Sequence, residues 1–130
     1  MFYAESTYGP GAQIIINNMR EARRNGMPRN MVLPSTYFWF YRMVRNKGRW
    51  DYKQFNPLFA NFGNFNFGAT GTAAGIPDNI LLMGAGWAQS HAGTSQPEWG
   101  RWYQNPPYGD DPTDQRFIRE GIEYARQQGY

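Results

Sequence analysis

The sequence predicts a mainly α-helical, single compact domain of about four helices, with a long loop region rich in Gly, Asn and aromatic residues. Apolar residues recur at three- and four-residue spacing in several separate stretches. Those stretches are bounded by residues that start and stop helices. No pair of alternating apolar and polar runs reads as a strand pair, and only a short β segment around Phe62–Phe67 fits that pattern.

The elements follow in chain order. Residues 1–10 read as a loose, aromatic, turn-prone arm. Ala12–Arg24 reads as the first helix, with Ile15, Met19 and Ala22 at helical spacing and Asn25-Gly26 as its stop. Its late Arg20, Arg23 and Arg24 suit the negative end of a helix dipole. Met27–Pro34 is a connection. Ser35 is the expected N-cap of an aromatic helix over Thr36–Asn46, which is apolar nearly all round and so is expected to be the central, most buried one. Lys47-Gly48 ends it, with Gly48 as a left-handed cap. From Trp50 to Gly75, the breakers Pro57, Gly63, Gly68, Gly71 and Gly75 argue against a long helix and for short turns and loop, with a helix at most over Ala69–Ala74. Pro77-Asp78 starts a helix over Asp78–Gln89, in which Gly84 and Gly86 suggest close approach of another backbone. Ser90–Pro107 is a long loop dense in Trp and Pro. Asp111-Pro112 starts the last helix, whose buried stripe is Phe117, Ile118, Gly121, Ile122 and Ala125.

A chain of 130 residues with 41% hydrophobic content is large enough for a core and is globular. Aromatic residues make up 18%, which is high, and charged residues only 18%, which is low. Such a surface suits an uncharged polar ligand such as a glycan or peptide. The net charge of +3 is a mild bias towards anionic partners and too small to establish nucleic-acid binding. The absence of cysteine excludes disulfides, thiolate metal sites and a Cys nucleophile. Met1–Gly11 has neither a basic start nor an apolar run, so any export signal is expected elsewhere or on a carrier. No stretch is apolar for long enough to insert into a membrane. No cofactor or metal is expected.

Chemistry is expected first in the Trp50–Gly75 stretch, where amides sit among phenylalanines, because a buried amide must be hydrogen-bonded. Asp51 reads as a general acid or base tuned by Lys53 and by burial under Trp50, or else as the cap of a short helix beside a solvated lysine. Asn64 and Asn66, alternating with Phe65 and Phe67, lie on one side if the run is extended and then orient a substrate amide or an oxyanion; otherwise they are turn residues. Asp110, Asp111 and Asp114 form the acidic cluster: the three carboxylates could hold a divalent cation, or one is forced to stay protonated beside another, whereas the helix start alone accounts for Asp111 and Asp114 but not for Asp110. His91, the sole histidine, is an acid/base candidate or a helix-end charge. Glu98, between Pro97 and Trp99, is a candidate acid whose pKa an apolar wall would raise. Trp99, Trp102 and Tyr103 are candidate substrate-lining rings.

Four motifs, STYFWFYRMVRNKGRWDYK, FGNFNFGATGTAAGI, LLMGAGWAQSHAGTSQPEWG and PYGDDPTDQRFIREGI, together resemble the polymorphic toxin type 44 domain over roughly Ser35 to Tyr124. The resemblance implies a bacterial toxin domain at the C-terminus of a larger secreted protein, often delivered by type VI secretion and neutralised by a cognate immunity protein. Arg49 stands where relatives often have Pro, and Asn66 where some have His. If that His is the relatives' general base, this chain lacks it. No catalytic assignment is carried over.

Three function classes follow. The first is a cell-wall hydrolase of a secreted effector, acting in the target's periplasm rather than its cytoplasm, with Asp51 and either Glu98 or Asp110 moving protons. The second is a metal-independent ribonuclease using Asp51, His91 and Lys53. The third is a non-enzymatic binding module for an immunity protein or a secretion carrier. The aromatic, low-charge composition favours the first.

Overall fold

The computed structural model describes residues 8–26 and 33–130. These form five α-helices and no strand: α1 (Gly11–Asn25), α2 (Pro34–Val44), α3 (Ala60–Ala73), α4 (Asp78–His91) and α5 (Pro112–Gln127). Short 3-10 turns lie at Tyr52–Gln54, Pro57–Phe59 and Pro97–Trp99. The fold is mainly α, as expected, with one helix more than expected. No described helix is long and apolar enough to cross a membrane. Most of the expected arm and of the Met27–Pro34 connection lies outside the described residues. Tyr8, near the arm's end, packs edge-on against Phe62 and Phe65.

Helices α1 and α5 form where strong amphipathic stripes demand them. α1 buries Ala12, Ile15, Met19 and Ala22. α5 starts at Asp111, whose side chain accepts from the Thr113 N–H at 2.8 Å, an N-cap reinforced by Pro112 at the first helical position. It buries the expected stripe and adds Gln115 and Tyr124 to it.

The principal correction concerns α3. Ala60–Ala73 of the glycine-broken middle is a 14-residue helix in place of the expected loop and of a β segment at Phe62–Phe67, while the expected short helical turns stand before it at Tyr52–Gln54 and Pro57–Phe59. It is also the central helix, making its largest contact with α5 and its next with α1. Gly68 and Gly121 explain this. A Cβ built on Gly68 would stand 2.0 Å from the Ile118 carbonyl oxygen, and one on Gly121 2.0 Å from that of Phe65. The two backbones touch, and the intrinsic helix penalty of glycine, about 1 kcal/mol per residue, is outweighed by packing that no larger residue permits.

The helix expected to be most buried, α2, is instead peripheral. It starts at Pro34 with Leu33 as N-cap, so Ser35 is inside the helix rather than capping it, and it buries only Thr36 and Phe40. Phe40 meets Phe67, and Trp39 meets Trp50 edge-on at 5.5 Å, while Tyr37, Phe38 and Tyr41 face outward. An all-round apolar helix reads as core only if neighbours pack on every side, and among the described residues α2 is packed on one side, at Thr36 and Phe40. Of the two glycines in α4, Gly86 lies against the Tyr108 backbone as expected, whereas a Cβ on Gly84 meets open space. α4 also runs on to His91, shortening the expected Ser90–Pro107 loop, which the Pro97–Trp99 turn interrupts.

Gly68→Ala and Gly121→Ala should each destabilise the domain by about 3 kcal/mol or more, the scale of overpacking against unyielding backbone. Gly84→Ala should be neutral or stabilising by up to about 1 kcal/mol. Denaturant unfolding of the three variants checks the contrast.

Candidate active site

The residues after α2 turn back sharply. Lys47 takes the left-handed conformation at φ 67°, not Gly48, which instead presses against the Met43 and Arg42 carbonyls. Gly48 N–H donates to the Arg45 carbonyl at 2.8 Å and Trp50 N–H to the Met43 carbonyl at 2.8 Å. This turn buries Trp50 and presents Asp51. Asp51 precedes the Tyr52–Gln54 turn without capping it through its side chain; its Oδ2 accepts from the Lys47 N–H at 2.9 Å. Asp51 thus stands at the N-cap position of this turn without a side-chain cap bond, and Lys53 is exposed, as the alternative reading has it.

Asp51 and Lys53 line one hollow of about 140 Å³ together with Trp50, Tyr52, Asn64 and Asp114. Val44, Ala60, Gly63 and Phe67 complete its walls. The turn supplies the first four polar or aromatic groups, α3 supplies Asn64, and the first turn of α5 supplies Asp114. Asp51 and Asn64 are half-buried, while Lys53 is exposed at the mouth. Burial pushes the Asp114 carboxyl above the ordinary carboxylate range, and the Asp111 charge adds to this; the Lys53 ammonium and a hydrogen bond with Asn64 pull the other way. The hollow thus combines two carboxylates, a cation and an amide, a set suited to proton transfer with stabilisation of developing negative charge.

Behind the hollow lies an amide network. Asn18 Nδ2 donates to the Tyr52 hydroxyl at 2.7 Å and lies 3.0 Å from Asn66 Oδ1. Burial raises the Tyr52 phenol pKa, against the hydrogen bond from Asn18 and the Arg49 charge. Asn66 is buried in the core on the helix, not beside Asn64 on an extended edge, because residues two apart on a helix point in different directions. Its part is to tie α1, α3 and the Tyr52 turn together, with Phe62 edge-on to Tyr52 at 5.0 Å.

The other candidates lie away from the hollow. His91 is exposed, its Nδ1 3.0 Å from the Trp87 carbonyl and its ring against Trp87. Glu98 is exposed on its 3-10 turn, so the apolar wall expected around it is missing. Trp99 is half-buried, and Trp102 and Tyr103 pack edge-on at 5.2 Å in the exposed loop. Arg101 Nη1 donates to the Tyr103 hydroxyl at 2.7 Å. None of these rings lines the hollow.

The acidic cluster divides three ways. Asp111 caps α5, Asp114 enters the hollow, and Asp110 turns inward. Among the described residues no group of three or more His, Asp or Glu side chains is gathered closely enough to hold a metal ion. Asp110 is 2% exposed, accepting from the Asp111 N–H at 2.9 Å and from Gln115 Nε2 at 2.8 Å. Gln115 Nε2 also lies 3.2 Å from the Leu82 carbonyl, joining α4 to α5. Asp114 is the member that sequence reasoning missed. Its place at a helix N-terminus gave it a sufficient structural explanation, and only the contact between α3 and α5 sets it beside Asn64.

A family model described as bacterial toxin 44 matches residues 46–127, more than half of the chain. The match spans the turn, α3 and α5, and so every polar residue of the hollow. No curated protein and no solved structure matches the chain.

Burial pushes the Asp110 carboxyl from its ordinary 3.8 up to about 6, so the charged form costs the folded state stability at neutral pH. As pH falls from about 6 towards 4, the native state takes up this proton before the unfolded chain does, and the fold gains up to about 3 kcal/mol from this group. Asp110→Asn should therefore match or exceed the wild-type stability at pH 7, with the difference closing by pH 4. Denaturant titrations at the two pH values check it.

Proposed function

The chain belongs to the bacterial toxin 44 family, and we propose that this toxin domain is a cell-wall hydrolase whose reaction takes place in the hollow. The observation that carries the reading is the meeting of Asp51 and Asp114, from distant parts of the chain, in one concavity with Lys53 and Asn64. Two carboxylates in unlike surroundings divide acid and base work. Asp114, held towards its protonated form by burial, gives a proton to the leaving group. Asp51, steadied by the Lys47 N–H, activates water or attacks directly. Lys53 and Asn64 stabilise the charge that develops, and Trp50 gives the hollow an apolar wall. This retains Asp51 and Lys53 from the sequence reading and puts Asp114 in the place considered for Glu98 or Asp110. The protein acts as a secreted effector in the target's periplasm, carried there by a larger secretion protein.

A ribonuclease is the second reading, favoured by the exposed Arg42, Arg45 and Lys47 on the approach to the turn. Against it, His91, the histidine that reading relies on, does not line the hollow.

Expression in bacteria with and without a periplasmic signal separates the two. The hydrolase is toxic only when exported, with lysis and release of wall fragments; toxicity confined to the cytosol with RNA loss supports the nuclease instead. Asp51→Asn and Asp114→Asn should each reduce wall-degrading activity roughly 100-fold or more while leaving the circular dichroism spectrum unchanged. Killing by both folded variants at the wild-type rate would remove the assignment. Because Asp114 must carry a proton to act as acid, activity on purified wall should fall as pH rises above its pKa, and a rate that climbs through neutral pH would reverse the two roles.

A further inference from the structure

The glycines of α3 differ in what holds them to glycine. Gly68 and Gly71 are demanded by packing: a Cβ on the first would collide with the Ile118 carbonyl, and one on the second with the Leu81 side chain. Gly63 is not demanded in this way. Among the described residues, a Cβ there would meet one atom outside α3, Tyr52 Cβ at 3.9 Å, an ordinary van der Waals contact. Its backbone is ordinary helix. Alanine would therefore fit the fold at this place and favour the helix, where glycine is the poorer former. Gly84 is equally unhindered, but its missing side chain looks into open space. The missing side chain of Gly63 borders the hollow.

Ala60, Gly63, Asn64 and Phe67 stand at positions i, i+3, i+4 and i+7 of α3, so they form one stripe, and all four line the hollow. The stripe carries no charge. It offers a methyl group, bare main chain, an amide and a ring. The charged groups Asp51, Lys53 and Asp114 reach the hollow from other elements. Asn64 has two N–H donors and a carbonyl acceptor, and one donor serves the Asp114 carboxylate. Its carbonyl oxygen and second N–H match the donor and the acceptor of a secondary amide. Val44, Trp50, Ala60 and Phe67 give the same hollow apolar walls, against which a methyl group leaves water. Size sets a further limit. About 140 Å³ is well below the roughly 300–1,000 Å³ of pockets that enclose a whole drug-sized ligand. The hollow seats one small group of a longer molecule.

We infer that Gly63 is a specificity-determining residue: it keeps open a subsite for a methyl-bearing secondary amide of the substrate, with the amide paired to Asn64 and the methyl laid on the α3 main chain. Close approach of a ligand to backbone is a use that glycine alone permits. Two parts of a bacterial wall carry such a group, the N-acetyl substituents of its amino sugars and the alanyl residues of its stem peptides. That the molecule bearing the group is cell wall rests on the proposed function; the room at Gly63 does not.

The probes are the N-acetylated trimer of glucosamine and trialanine, each titrated against the domain by calorimetry beside a counterpart without the methyl group, the deacetylated trimer and triglycine. At least one of the two methyl-bearing probes should bind, with its counterpart about 10-fold or more weaker. Binding of the sugar alone assigns the subsite to the glycan strand, and binding of the peptide alone to the stem peptide. Gly63→Ala should weaken binding about 10-fold and Gly63→Val further, the scale of added carbon in a filled pocket. On purified wall both variants should raise KM while kcat stays within about twofold. Gly63→Ala should nevertheless keep or raise the denaturation midpoint, because alanine favours a helix. Gly84→Ala should leave affinity and KM at their wild-type values. The inference is overturned if neither methyl-bearing probe binds, if both Gly63 variants bind as tightly as the wild type, or if Gly63→Ala lowers the midpoint along with the affinity, as a purely structural glycine would. Wall cleavage with KM unchanged in Gly63→Val sinks the subsite and leaves the hydrolase. Probe binding that Gly63→Val abolishes, in a domain that leaves the wall intact, sinks the hydrolase and leaves the subsite.

Discussion

The structure depends on the contact between the backbones of α3 and α5 at Gly68 and Gly121. Neither position has room for even a methyl group. Close approach removes apolar surface from water on both helices at once and brings Phe65, Ala69, Ile118 and Ile122 into one core. It also places the hollow. Asn64 lies one turn before Gly68 on α3, and Asp114 lies two turns before Gly121 on α5. The separation of the amide from the carboxylate is therefore set by main chain against main chain, the least compressible contact available.

A second constraint holds the turn that carries Asp51 and Lys53. Tyr52, between them, receives a hydrogen bond from Asn18 on α1, and Asn18 also reaches Asn66 on α3. Buried polar groups of this kind are costly if left unpaired and strongly orienting when paired. Here they connect three elements, and the Phe62 ring packs edge-on against both Tyr52 and Tyr8 beside them. The core thus positions the polar groups of the hollow from two sides: α3 and α5 hold Asn64 and Asp114, and the amide network holds the Asp51–Lys53 turn.

What could be read from the sequence followed the strength of the local signal. The stripes of α1 and α5 and the Asp111 cap were legible because spacing and capping agreed. The expectation that amides among phenylalanines form a fixed polar network was sound for Asn66, though its partner Asn18 lies on a different helix and carries no local mark. Asp51, Lys53, Trp50 and Asn64, singled out by residue type alone, share one hollow. α3 was not legible, because its glycines were counted as helix breakers, whereas the close-approach reading was applied to Gly84 and Gly86 and holds at Gly86. α2 was misplaced for the opposite reason: apolarity was read as burial, and Tyr37, Phe38 and Tyr41 are exposed. Asp114 was lost because a local explanation was sufficient for it. His91 and Glu98 were considered for their chemistry, and no local pattern could show that they fold away from the hollow.

The bare crossing of α3 and α5 also separates two kinds of variation. Where side chains keep helices apart, each core substitution alters the gap, and site geometry drifts with packing. Here the spacer is peptide carbonyl, which every sequence shares. Changes among the surrounding alanines, leucines and isoleucines can accumulate as lost robustness while the distance across the mouth stays constant. The interior can thus vary in side-chain volume while the spacing between Asn64 and Asp114 is held.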